Sequence, residues 1–98
     1  MDIQKLMGQA QQMQKNLQKR MGEFEKKQFE YNYKNGAIVV IIQGDLLIAS
    51  IKINKTLIDP EEPQMLEEMV SEAVNQAIVG VKNDRDAIQN AVPGSRNV

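Results

Sequence analysis

The sequence has no cysteine, no histidine and no tryptophan. Without cysteine there is no disulfide framework and no thiol chemistry. Without histidine the usual general base and the commonest metal ligand are missing. Two Phe and two Tyr are the whole aromatic complement, so core volume must come from Ile, Val, Leu and Met. Long hydrophobic runs are missing too. A stretch such as AIVVII at 37–42 falls far below the roughly 20 residues of a membrane helix. The opening MDIQKLMGQAQQ has no apolar h-region of a signal peptide. These absences predict a soluble cytoplasmic protein in a reducing compartment. At 98 residues the chain is one domain with a small core, which association would help.

Charge is nearly balanced overall, at −1, but unevenly spread. Residues 1–55 carry nine Lys/Arg against five Asp/Glu, whereas residues 56–98 carry three against eight. Such asymmetry marks either a surface for a charged partner or two halves that attract each other or a second subunit.

MGQAQQMQKNLQKRM at 7–21 is the most unusual stretch. The apolar residues Ile3, Leu6, Ala10, Met13, Leu17, Met21 and Phe24 recur at three- and four-residue steps, so a helix over about 2–25 presents one narrow seam. On a helical projection Lys5, Lys15, Lys19 and Lys26 gather on the opposite face, with Arg20 and Lys27 toward its flank. A narrow stripe with a charged back suits a partner better than a deep core.

Three strands follow. QFEYNY at 28–33 alternates in the manner of a half-buried strand. Asn35-Gly36 supplies a turn. AIVVIIQ at 37–43 is apolar on both faces and predicts the central strand. Gly44-Asp45 makes a second turn, and LLIASIKI at 46–53 a third strand. Two tight hairpins give an antiparallel meander. In the connector 54–63, Asp59-Pro60 followed by Glu61 and Glu62 predicts a helix start. A second helix over about 61–91 has a broad apolar face: Met65, Leu66, Met69, Val70, Ala73, Val74, Ala77, Ile78 and Val81. The pattern fades after Val81, where Asp84 falls in an apolar position, so the last third should project beyond the sheet. VPGSRNV at 92–98 reads as a flexible tail beyond a single domain at 1–91. The fold class is α+β, in the order α–β–β–β–α, with a small meander and two long helices.

Catalytic chemistry finds no footing. Ser50, Ser71 and Ser95 have no activating partner in the sequence. Glu61, Glu62, Glu67, Glu68 and Glu72 lack the histidine or calcium-loop spacing of a metal site. There is no phosphate-cradling glycine motif. The methionines at helical spacing read as core and seam. The basic face of the first helix is the one positive signal, and a plain solvated face is its bland explanation.

QAQQMQKNLQK at 9–19, ASIKI at 49–53 and DPEEPQMLEEMVSEAVNQAI at 59–78 resemble, in order, the YbaB/EbfC family of bacterial nucleoid-associated proteins. The resemblance implies a homodimer with projecting helices. It also implies DNA binding with little sequence preference, in the nucleoid; from the residues themselves no enzymatic activity and no cofactor are expected. DNA contacts on the first and last helices would correspond here to Lys15, Lys19, Arg20, Lys26 and Lys27, with Lys82 and Arg85. The alternative is a protein-interaction adaptor that uses the Gln/Met seam and has no direct DNA function.

Overall fold

The computed structural model describes residues 2–90. Helix α1 spans Ile3–Lys26, strands β1, β2 and β3 span Gln28–Tyr33, Ile38–Gln43 and Ile48–Ile53, and helix α2 spans Pro63–Asn90. A short 3-10 turn, Lys55–Leu57, lies between β3 and α2. The strands form one antiparallel sheet with β2 in the centre, as its two-sided apolar sequence predicts.

One face of the sheet is the core face. Ile38, Val40 and Ile42 of β2 are fully buried beneath Ala73, Ala77 and Val81 of α2. The small alanines let the helix lie close to the β-branched strand. On β1, Tyr33, Tyr31 and Phe29 stand opposite Ile38, Val40 and Ile42 and join the same cluster. The Tyr33 hydroxyl donates a hydrogen bond to Glu72, tying β1 to α2. On the far face Val39 and Ile41 are only half-buried.

Both hairpins differ from their sequence reading. The first loop takes four residues, 34–37, because Lys34, Asn35 and Gly36 all adopt positive φ (47°, 58° and 85°). That left-handed run keeps Ala37 out of β2. In the second, Gln43 N–H donates to the Leu47 carbonyl at 2.8 Å, which closes a three-residue loop of Gly44, Asp45 and Leu46. Leu46 sits at φ 72°, an unfavourable region for leucine that costs about 1–3 kcal/mol. Its packing against the core offsets that cost. The third strand therefore begins at Ile48 rather than at 46. It carries a bulge, since Ile41 faces Ser50 while Ile42 faces Ile48, leaving Ala49 unpaired.

The helix starts follow the same logic. Asp2 caps α1, accepting from Gln4 N–H at 3.1 Å. Asp59 does not cap α2. It closes a turn ahead of the helix, accepting from Glu61 N–H on its side chain and from Glu62 N–H on its carbonyl. The second proline, Pro63, then opens the helix, where its fixed φ and missing N–H cost nothing. The expected tail at 92–98, and with it the expected domain boundary at 91, lie outside the described residues.

The two helices overlap only near their ends. Residues 20–24 of α1 meet residues 85–88 of α2, in antiparallel sense. At 1.5 Å per residue the helices measure about 36 and 42 Å, which accounts for a molecule 72 Å long. The last third of α2 thus leaves the sheet as the fading pattern predicts, but it packs on α1, with Ile88 against the core cluster.

Two glycines are fixed by close approach. A Cβ on Gly44 would overlap the Phe24 carbonyl, and one on Gly80 would come within 2.5 Å of the Tyr31 ring. Gly8 of α1 has open space around it. Urea unfolding should therefore show Gly44→Ala and Gly80→Ala destabilised by about 1–3 kcal/mol. Gly8→Ala should gain up to ~1 kcal/mol. The Tyr33 phenol is pushed above its usual value, first by its hydrogen bond to Glu72, then by burial and the carboxylate charge. Its contribution is complete below the unfolded tyrosine pKa and is lost as pH rises through the higher folded value. Tyr33→Phe should lower the melting temperature at neutral pH and flatten the alkaline fall in stability.

Candidate nucleic-acid interface

The geometry of the basic region begins at the junction of α1 with the sheet. Phe24 is the one buried residue of α1. Its ring packs on Phe29 at 5.2 Å between centroids, and its carbonyl accepts from Lys27 N–H at 3.1 Å. The Lys27 carbonyl in turn accepts from Gly44 N–H at 3.0 Å. This short chain of backbone bonds fixes the angle at which α1 leaves the sheet.

From that root α1 extends away almost unaccompanied. Met13, Leu17 and Met21 are half-buried, whereas Ile3 and Leu6 are 70% and 47% exposed. The seam, read from the sequence as suited to a partner, is thus uncovered over its first turns. The reason is length: α2 reaches α1 only at its last turns, and nothing else among the described residues lies beside the rest.

Lys15, Lys19, Arg20 and Lys26 are exposed on the helix, and helical periodicity sets Lys15, Lys19 and Lys26 on one face. Lys27 is different. It is the C-cap in extended conformation, so its direction follows the strand rather than the helix flank. Its ammonium lies 5.6 Å from the Phe29 ring centre, a cation–π geometry. Arg20 and Lys27 line a shallow cleft of about 210 Å³ with Glu23, Phe24 and Ile88. Lys82 is exposed on α2. Arg85 is half-buried and pairs with Glu25 at 3.8 Å. That is the one ion pair among the described residues.

Tertiary packing thus brings Arg20, Lys27 and Arg85 from two helices to one junction, while Lys15 and Lys19 stand further out on the arm. Sequence periodicity did not anticipate the Glu25–Arg85 pair or the turning-away of Lys27. The only available signal was Asp84-Arg85 interrupting an apolar face. Asp84 and Asp86 of α2 flank Arg85 here, and the main group of glutamates lies elsewhere. Glu61, Glu62, Glu67 and Glu68 precede or occupy its first turns, about 30–40 Å along the helix from Ile88. The glutamates at the start of α2 are therefore set apart from Lys15 and Lys19 along the long axis, whereas Glu23, Glu25, Asp84 and Asp86 lie among the cations near the junction. No group of three or more acidic residues among the described residues is arranged to hold a metal ion. No helix of the described chain is long and apolar enough to cross a membrane.

A short meander roofed by one helix, with a second helix standing out from it, defines a class of small α+β proteins. The sequence matches the YbaB/EbfC DNA-binding family over residues 1–94, and the chain belongs to that family. It is 42% identical over 94 residues to a nucleoid-associated protein of Malacoplasma penetrans, covering 95% of this chain and 99% of that one. A nucleoid-associated protein of Ureaplasma parvum is 43% identical over 91 residues, 93% of this chain and 91% of the other. The fold is that of an uncharacterized Helicobacter pylori protein of known crystal structure. The TM-score is 0.74 at 18% identity, over 96% of this chain and 99% of that one.

An exposed ion pair contributes little to stability, about 0–1 kcal/mol. Glu25→Gln should therefore leave the melting temperature nearly unchanged while releasing Arg85. In a low-salt fluorescence titration with duplex DNA, affinity is expected to rise modestly or stay level.

Proposed function

We propose that this protein is a homodimeric, nucleoid-associated DNA-binding protein of the cytoplasm. It grips the phosphate backbone through Lys15, Lys19, Arg20, Lys26, Lys27, Lys82 and Arg85, with little sequence specificity. The observation that carries the reading is the exposed cationic face of α1, whose lysines make no ion pair within the described chain. Lysines on a rod approach phosphates as point charges, displace condensed counterions and carry no base readout. A dimer sets two such arms at a fixed spacing. The acidic start of α2 repels the polyanion, so DNA meets the arm end of the molecule.

The exposed Ile3, Leu6 and Met7 favour one other reading, an adaptor whose seam takes a partner helix. In that case charge reversal on α1 would abolish protein capture and leave DNA affinity absent or unaltered.

Four to six phosphate contacts per dimer give a log–log salt slope of about −4 to −5. Titration of duplex DNA at several salt concentrations should show that slope, nearly equal for unrelated sequences. Replacing Lys15, Lys19 and Lys26 together by Glu should lower affinity at least tenfold and flatten the slope by about one for each phosphate no longer neutralised. A salt-independent affinity, or none at low salt, would overturn the proposal.

A further inference from the structure

A helix that only carries lysines to a polyanion needs no apolar residues on its back. The free part of α1 has them nonetheless. Ile3, Leu6 and Met7 are 70%, 47% and 58% exposed. Ala10 is exposed as well, and Met13 and Leu17 are half-buried. None of these six belongs to the core cluster or packs against it. The seam is therefore surplus to both the fold and the phosphate contacts.

We infer that the seam pairs with the seam of a second copy of the chain, arm against arm in antiparallel sense, with Ala10 near the crossing. The inference goes beyond the homodimer proposed above, because it joins one such molecule to the next. It shares with that reading only the outward placement of the lysines. Helical periodicity sets Lys5, Lys15 and Lys19 away from the seam, so pairing leaves them to phosphate.

Charge selects a second copy as occupant. In paired helices the residues flanking the seam choose the partner through their charges. Here the flanks are Met7, Gln9, Gln14 and Asn16, all uncharged. Two cationic arms can thus approach without placing lysine beside lysine. A Gln or Asn amide both donates and accepts, so a copy of itself satisfies it. A foreign helix would find no charge to recognise there.

The antiparallel sense follows from charge and bulk. Asp2 is the only carboxylate in the first 22 residues. Antiparallel arms carry it toward Arg20 of the other copy, whereas parallel arms set like charges together. The last turns of α2 also flank α1 at residues 20–24. Parallel arms would bring two such bodies together, while antiparallel arms hold them at opposite ends. Ala10, the smallest residue of the seam, lies midway between Ile3 and Leu17 and lets the two backbones approach.

Size sets the strength. From Ile3 to Leu17 the seam runs about 21 Å along a helix about 10 Å across. A strip of that size falls well short of about 800 Å² per partner, the area of a stable interface. The contact is therefore weak between free molecules. It strengthens where one duplex holds neighbours side by side and raises their effective concentration. Occupancy of a long duplex becomes cooperative as a result.

The chain has no cysteine, so Met7→Cys and Gln14→Cys each carry a single thiol on one flank of the seam. In antiparallel arms crossing at Ala10 these two positions come level with each other. Mild oxidation of the two variants mixed should give about tenfold more covalent pair than either variant alone. Adding Leu6→Gln to both should abolish the product. In titrations of a long duplex, wild type should bind with a Hill coefficient above one, and Leu6→Gln/Met13→Gln without cooperativity. Both should bind alike to a duplex that holds one molecule. Circular dichroism should show every variant folded, since these residues lie outside the core cluster. A mixed yield no greater than the single yields would overturn the inference, whether or not the seam captures a foreign protein. Preferential linking of Met7→Cys to itself would mean parallel arms and overturn it too, as would cooperativity that survives Leu6→Gln/Met13→Gln. Absence of binding to any duplex would instead defeat the DNA reading, while the cross-link, formed without DNA, would still report on the arms.

Discussion

The junction at Phe24, Lys27 and Gly44 is the constraint on which the rest of the molecule depends. An isolated helix as polar as α1 has little reason to hold any direction, because its apolar stripe meets protein only at one end. The Phe24 ring anchors that end in the core, a backbone hydrogen bond closes the helix end at Lys27, and a second ties Lys27 to Gly44 of the β2–β3 hairpin. Gly44 makes the approach possible by having no side chain where the Phe24 carbonyl passes. The direction of the arm is therefore set by the sheet. A reach of about 36 Å magnifies any change in angle at the root into a large displacement of Lys15 and Lys19.

Charge separation follows from the same geometry. The helices are antiparallel and overlap where the root of α1 meets the last turns of α2, so the lysine-bearing arm and the glutamate-bearing start of α2 point in opposite directions. A nearly neutral protein thus holds Lys15 and Lys19 well away from its largest group of glutamates. Counterion release depends on local phosphate neutralisation, so a balanced composition does not conflict with binding to a polyanion.

Much of the fold was legible because periodicity reports burial directly. Two-residue alternation in QFEYNY and the two-sided apolarity of AIVVII identified an outer and a central strand, and the broad stripe on α2 identified the roof. The mistakes fell where three-dimensional context outweighs local preference. Leu46 adopts a left-handed conformation that leucine avoids, because its side chain is drawn into the core. Asp59 has the sequence of a helix cap yet closes a separate turn, because Pro63 is the better first residue. Lys27 reads as a helix flank but belongs to the strand entry. Of the basic residues, the row at 15, 19 and 26 was readable from spacing alone. The meeting of Arg20, Lys27 and Arg85 was not, since it brings together residues some sixty positions apart in the sequence.

By itself the sequence determined the inventory: three strands, two helices, no catalytic or thiol chemistry, a cationic stripe and an acidic segment. Those are properties of composition and of local period, which survive without knowledge of the fold. Only the tertiary structure decided which apolar residues stay uncovered and where the charges stand relative to each other. Whether Ile48 and Ile51 are core or surface depends on how far a helix about 10 Å across extends over three strands, and no local pattern contains that width.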